Sequence, residues 1–170
     1  MNRTASLIVG VFVSFVAASW AAAETTVTLE KTHLCCNSCV KAVTAAVTAV
    51  PGATAKCDTK TGTITIKAAD EASAQKAVDA LSEAGFYGKA TGATIKDDSG
   101  APAGNVKTLT VTTHNCCGKC TKAIDKAIAS VPGAKGQAKA KEDTFTVTGD
   151  FDAAKLVAAL NDAGFCVKTK

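Results

Sequence analysis

Apolar and polar residues alternate over residues 26–30, where Val27 and Leu29 stand between Thr26, Thr28 and Glu30. A period of two predicts a half-buried strand. The alternation returns over residues 108–112, with Leu109 and Val111 as the apolar members. Downstream of the first strand, Val40, Val43, Val47 and Val50 recur at helical spacing, matched in the second half by Ile124, Ile128 and Val131. Pro51-Gly52 and Pro132-Gly133 stop these helices. Two short strand-like runs follow in each half, the second being 63–67 or 144–148. A second amphipathic helix carries Ala74, Val78 and Leu81 in one half and Leu156, Val157 and Leu160 in the other. It ends at Gly85 or Gly164, in the position of a helix C-cap, and a last strand is predicted to start at Phe86 or Phe165. The order βαββαβ predicts an α+β protein made of two tandem ferredoxin-like sandwiches.

The halves are copies. Thr32-His33-Leu34-Cys35-Cys36-Asn37-Ser38-Cys39 returns as Thr113-His114-Asn115-Cys116-Cys117-Gly118-Lys119-Cys120. Val50-Pro51-Gly52-Ala53 returns as Val131-Pro132-Gly133-Ala134, and Ala84-Gly85-Phe86 as Ala163-Gly164-Phe165. Each copy is long enough to close its own core, so the expected organisation is a domain over residues 24–90 and a second over 106–170. Residues 91–105 between them are rich in Gly, Ala, Asp and Thr, the composition of a flexible linker.

Residues 1–23 have a different character. Arg3 gives a basic start, residues 7–18 are almost wholly apolar, and Ala21-Ala22-Ala23 supplies the small residues of a cleavage site. These features predict a secretory signal peptide cleaved near Ala23, and so a periplasmic or secreted protein with no membrane segment after cleavage. The apolar run is shorter than the roughly 20 residues that a spanning helix needs. A formal net charge of +4 is too slight a bias, and 5% aromatic residues too few, for a nucleic-acid partner. Eight Cys are many for a chain bound for a compartment where thiols oxidise.

Six of those Cys lie in the repeated motif, which falls between the first strand and first helix of each copy. Cys36 and Cys39, like Cys117 and Cys120, form C-x-x-C pairs entering a helix, where unpaired N–H groups and the positive end of the dipole favour thiolate over thiol. Paired thiolates select soft ions such as Cu(I), with Zn(II) as a borderline competitor. No Ser-His-Asp set, phosphate loop or acid-base carboxylate pair stands in a recognisable frame, and no enzymatic reaction is expected.

On its C-x-x-C pair, its Pro-Gly turn and its Ala-Gly-Phe, each copy resembles a heavy-metal-associated domain, the family of copper chaperones, metal-ATPase amino-terminal domains and the periplasmic mercury-binding protein. The resemblance implies Cys36 and Cys39 as metal ligands in one copy and Cys117 and Cys120 in the other. It also implies one ion per copy in an exposed loop, and transfer by ligand exchange to a metal transporter or other acceptor protein. The family usually has Gly-Met-Thr/His before the first Cys. Here His33-Leu34-Cys35 and His114-Asn115-Cys116 stand there, with Leu34 and Asn115 in place of the Met beneath the loop. Cys35, Cys116, His33 and His114 are therefore additional candidate ligands. Three thiolates and one imidazole would close a tetrahedron around Zn(II) or Cd(II), whereas two thiolates suit linear Cu(I) or Hg(II).

The rival reading is a thiol-disulfide redox or disulfide-stabilised interaction protein, which export favours. Against redox catalysis of the thioredoxin type, the element order is wrong and no proline precedes a later strand to face the pair. Vicinal residues in extended chain point apart, which argues against Cys35 and Cys116 joining their neighbours at one ion, and a lone loop His is commonly a solvated residue. Cys57 and Cys166 have no counterparts in the other copy and read as small buried residues. A flexible linker of this length spans about 20 Å r.m.s., so a meeting of the two motifs is permitted without being required.

Overall fold

The computed structural model describes residues 24–96 and 98–170; residues 1–23, where the sequence predicts a signal peptide, lie outside them. The amino-terminal copy comprises β1 (Thr25–Glu30), α1 (Asn37–Thr48), β2 (Thr54–Asp58), β3 (Thr63–Ala68), α2 (Glu71–Glu83) and β4 (Lys89–Thr91). The carboxy-terminal copy comprises β5 (Asn105–Thr112), α3 (Gly118–Ala129), β6 (Ala134–Lys135), β7 (Thr144–Asp152), α4 (Ala153–Asp162) and β8 (Lys168–Thr169). The sheets have the orders β2-β3-β1-β4 and β6-β7-β5-β8, antiparallel throughout. This is the ferredoxin-like topology expected from the residue pattern, twice over.

Register follows the hydrophobic pattern. Val27 faces Ile66 and Leu29 faces Ile64 across β1 and β3, and all four are fully buried. Val43 and Val47 of α1 and Val78 and Leu81 of α2 cover them without residual exposure. A fully buried side chain of this size contributes about 1.5–3 kcal/mol, so this layer is the main stabilising element of the copy. Leu109, Val111 and Val147 serve the same purpose under Ile124, Leu156 and Leu160. The carboxy-terminal copy has a short β6 and a long β7, whose final residue Asp152 caps α4 by accepting a hydrogen bond from the Lys155 N–H at 3.0 Å. No loop separates strand from helix there. Among the described residues no helix is long and apolar enough to cross a membrane.

The final strands start later than the sequence pattern predicts, at Lys89 and Lys168. Phe86 and Phe165 instead pair with each other as an antiparallel bridge between the copies. Tyr87 N–H donates to Gly164 O at 3.2 Å, Cys166 N–H to Gly85 O at 3.0 Å, and His33 N–H to Gly164 O at 3.3 Å. The residues after each helix thus use their backbone groups on the other copy before rejoining their own sheet. The connecting segment is also held, since Gln75 exchanges two hydrogen bonds with the Thr94 backbone and Thr169 N–H donates to Ser99 O at 2.7 Å.

Candidate metal centre

Each Cys motif lies where a first strand ends and a first helix begins, and the interlocking of the copies turns the two loops toward each other. Cys36 and Cys117 are the N-cap residues of α1 and α3, in extended conformation at φ −164° and φ −160°, and neither side chain caps its helix. Their sulfurs are not engaged by the helix ends, while the N–H groups of the first turn concentrate positive potential beside them. Cys39 and Cys120, one turn into their helices, are fully buried and form the floor.

Six thiols meet in one cluster. Cys35 Sγ lies 3.7 Å from Cys39 Sγ, 3.4 Å from Cys117 Sγ and 3.5 Å from Cys120 Sγ. Cys116 Sγ mirrors it, at 3.7 Å from Cys120, 3.6 Å from Cys36 and 3.6 Å from Cys39. The extra cysteines are therefore the hubs, each touching one sulfur of its own copy and two of the other. The extended backbone does send vicinal sulfurs apart, but both directions end in thiols: Cys35 reaches Cys117 and Cys36 reaches Cys116. The divergence that counts against Cys35 and Cys116 within one motif is resolved across the two copies, where the recurrence of the pair in both motifs supplies each sulfur with a partner.

Three groups of four residues place their ligand atoms within 4.8 Å of one another: Cys35, Cys116, Cys117 and Cys120; Cys35, Cys36, Cys39 and Cys116; and Cys39, His114, Cys116 and Cys120. Every group draws on both copies. The Cys3His set expected within one motif is replaced by one that takes Cys39 from the amino-terminal copy and the rest from the carboxy-terminal one. His33 joins none of these groups; its ring stacks on Phe165 at 4.6 Å, as His114 packs on Phe86 at 4.5 Å. The Nε2 atoms of both His are buried without a hydrogen-bond partner, an uncommon state for a ring nitrogen. Burial holds the His33 pKa below the usual imidazole value. Cys57 and Cys166 stand outside the cluster, and burial raises both thiols.

Sulfur packing divides the protons unequally. Hydrogen bonding from Cys120 above all, with help from His114 and Cys116, holds Cys39 down to about 2, and Cys120 is raised in return. Backbone N–H groups at the start of α3 lower Cys117 to about 6. Burial pushes Cys35 up to about 12, and burial likewise raises Cys116. A metal ion displaces those thiol protons as it binds. The donor set of six soft sulfurs, with orphaned imidazole nitrogens beside it, fits a soft or borderline ion.

Leu34 and Asn115, which occupy the same place beneath the two loops, do so differently. Leu34 is core, 5% exposed. Asn115 is fully buried: its amide donates to Lys139 O at 2.8 Å and Glu142 O at 3.1 Å and accepts from the Thr121 hydroxyl at 3.1 Å. It ties the loop before β7 to the metal loop.

Residues 107–165 match the family described as the heavy-metal-associated domain. Among solved structures, the chain is similar to the N-terminal soluble domains of Bacillus subtilis CopA, at 16% identity over 88% of this chain and 95% of that one, with a TM-score of 0.32. No curated protein matches the sequence. The carboxy-terminal copy therefore carries the signature of a heavy-metal-associated domain, and its C-x-x-C pair lies inside the matched residues.

Proposed function

We propose that this chain is an exported soft-metal-binding protein, a metallochaperone, buffer or resistance component, built from two heavy-metal-associated domains. The observation that carries this reading is the convergence of six Sγ atoms, joined by seven contacts of 3.4–3.8 Å, around the ends of two helices. The assignment of the amino-terminal copy rests on its repeated motif and on its identical strand order. Export rests on the character of residues 1–23. The cargo is a thiophilic ion, among Cu(I), Zn(II), Hg(II) and Cd(II). Cys36 and Cys117 at the partly exposed rim are the first ligands to exchange with an acceptor such as a metal transporter, while the buried Cys39 and Cys120 retain the ion. The protein carries no catalytic role in this reading, and the duplicated motif favours two ions per chain.

The test is reconstitution of the reduced chain without oxygen, desalting and elemental analysis. The Cys36→Ser, Cys117→Ser double variant is expected to retain substantially less metal through desalting. Unchanged stoichiometry would refute the assignment. A second reading, thiol-disulfide exchange, is favoured by the close approach of Cys35 to Cys117 and of Cys36 to Cys116 across the copies. It requires thiols of the protein taken from its own compartment to resist alkylation, and turnover of a disulfide substrate.

A further inference from the structure

The first two ligand groups are related by exchange of the copies, and they overlap. Cys35, Cys36, Cys39 and Cys116 form one; Cys35, Cys116, Cys117 and Cys120 form the other. Cys35 and Cys116 belong to both. Each group adds to this shared pair one complete C-x-x-C pair, Cys36 with Cys39 or Cys117 with Cys120. Two four-sulfur groups that share the pair Cys35 and Cys116 therefore lie side by side in the chain.

We propose that the cluster binds two divalent ions of the zinc and cadmium class together, with Cys35 and Cys116 as bridging thiolates and the two C-x-x-C pairs as terminal ligands. This rests on the metal-binding reading above and changes its form, from one separate ion per copy to a single binuclear centre. Three observations support it. Seven of the sulfur separations within the two groups are 3.4–3.8 Å and the others lie within 4.8 Å; the seven correspond to the edge of a thiolate tetrahedron, about 3.8 Å for a Zn–S bond of about 2.3 Å. A linear two-thiolate site would hold its sulfurs about twice a bond length apart, roughly 4.6 Å by the same figure, wider than the 3.8 Å between Cys36 and Cys39. The copy exchange makes the two groups alike, so an ion in one leaves an equivalent half-formed set in the other, with a terminal pair unused. The charge also accords with the surroundings: two dications and six thiolates leave a net charge of −2, and α1 and α3 both point their amino-terminal ends at the cluster with no acidic residue in either first turn. Binding consumes no oxidant or reductant. Each thiol that ligates releases its proton to solvent.

The reduced chain, loaded without oxygen with zinc or with an NMR-active cadmium isotope, is expected to retain two ions by elemental analysis. Cadmium NMR is expected to show two resonances in the all-thiolate region, split by scalar coupling to each other through the shared sulfurs. The Cys35→Ser, Cys116→Ser double variant should lose that coupling and bind the ions at least ten-fold more weakly. A Cys57→Ser control, remote from the cluster, should keep both. Two uncoupled resonances, or one ion per chain, would overturn the bridged centre while leaving metal binding intact. A chain that retains no ion under these conditions overturns the metal-binding reading and the bridged centre together.

Discussion

Leu34 and Asn115 occupy equivalent places beneath the two metal loops but hold them by different forces. Leu34 contributes buried apolar area and nothing directional, so Leu34→Met conserves volume and is expected to cost less than about 1.5 kcal/mol. Asn115 satisfies two backbone carbonyls and receives one hydroxyl in a fully buried position. Asn115→Leu leaves those groups without partners, each worth about 1–3 kcal/mol when orphaned in the interior. Urea denaturation of the two single variants is expected to rank Asn115→Leu as clearly the more destabilising, and the reverse order would mean that the loop before β7 re-pairs elsewhere. The difference between Leu34 and Asn115 was visible in the sequence. Its meaning was not, because the two backbone carbonyls that the Asn115 amide reaches, those of Lys139 and Glu142, lie more than twenty positions downstream.

The elements of the interface are the two Gly-Phe segments after α2 and α4. Gly85 and Gly164 have φ of +84° and +89°, and a Cβ on either would overlap the backbone nitrogen of His114 or of His33 in the opposite copy. Their glycine character thus serves both the helix end and the close approach of a neighbouring chain segment. Gly85→Ala and Gly164→Ala are each expected to destabilise the protein by more than about 1 kcal/mol, from strain at positive φ alone, and to weaken metal retention by separating the loops. Gly118→Ala, at the start of α3 with open space around its Cα and no positive φ, is expected to change neither. Thermal unfolding together with metal content after desalting measures both effects. Strand and helix identities were legible in the sequence, because Val27, Leu29, Val43 and Val47 carry periods that only one packing satisfies. The last strands were placed too early because Phe86 and Phe165 read as strand residues, and they are strand-like, but each pairs with the other copy's Phe. Periodicity reports that a residue is buried and extended; it does not report against which surface.

At the scale of the whole molecule, the cluster is the place where the two halves are most dependent on each other. Among the described residues every four-residue ligand group takes atoms from both copies, so an ion bound there binds only the docked arrangement. A ligand held at a free concentration about 100 times its dissociation constant stabilises the state it binds by about 2.7 kcal/mol. Zinc is accordingly expected to raise the unfolding temperature and to make the two copies unfold in a single transition, and a chelator to reverse both; calorimetry with and without metal decides this. Two broad transitions unaffected by metal would mean that the copies bind independently. The sequence could show two motifs and a tether long enough to let them meet. It could not show the meeting, since that depends on His33 stacking over Phe165 and His114 over Phe86, contacts between residues that look like ordinary loop and core residues in isolation. The tether itself has a consequence for how the protein works. Anchored to α2 through Gln75 and to β8 through Ser99, it keeps each half permanently in the neighbourhood of the other, at an effective concentration on the order of millimolar or above. Two separate chains would have to collide to assemble such a pocket and would release their cargo on dilution. This chain assembles it by a unimolecular step, and can therefore capture an ion at whatever trace level the protein itself is present.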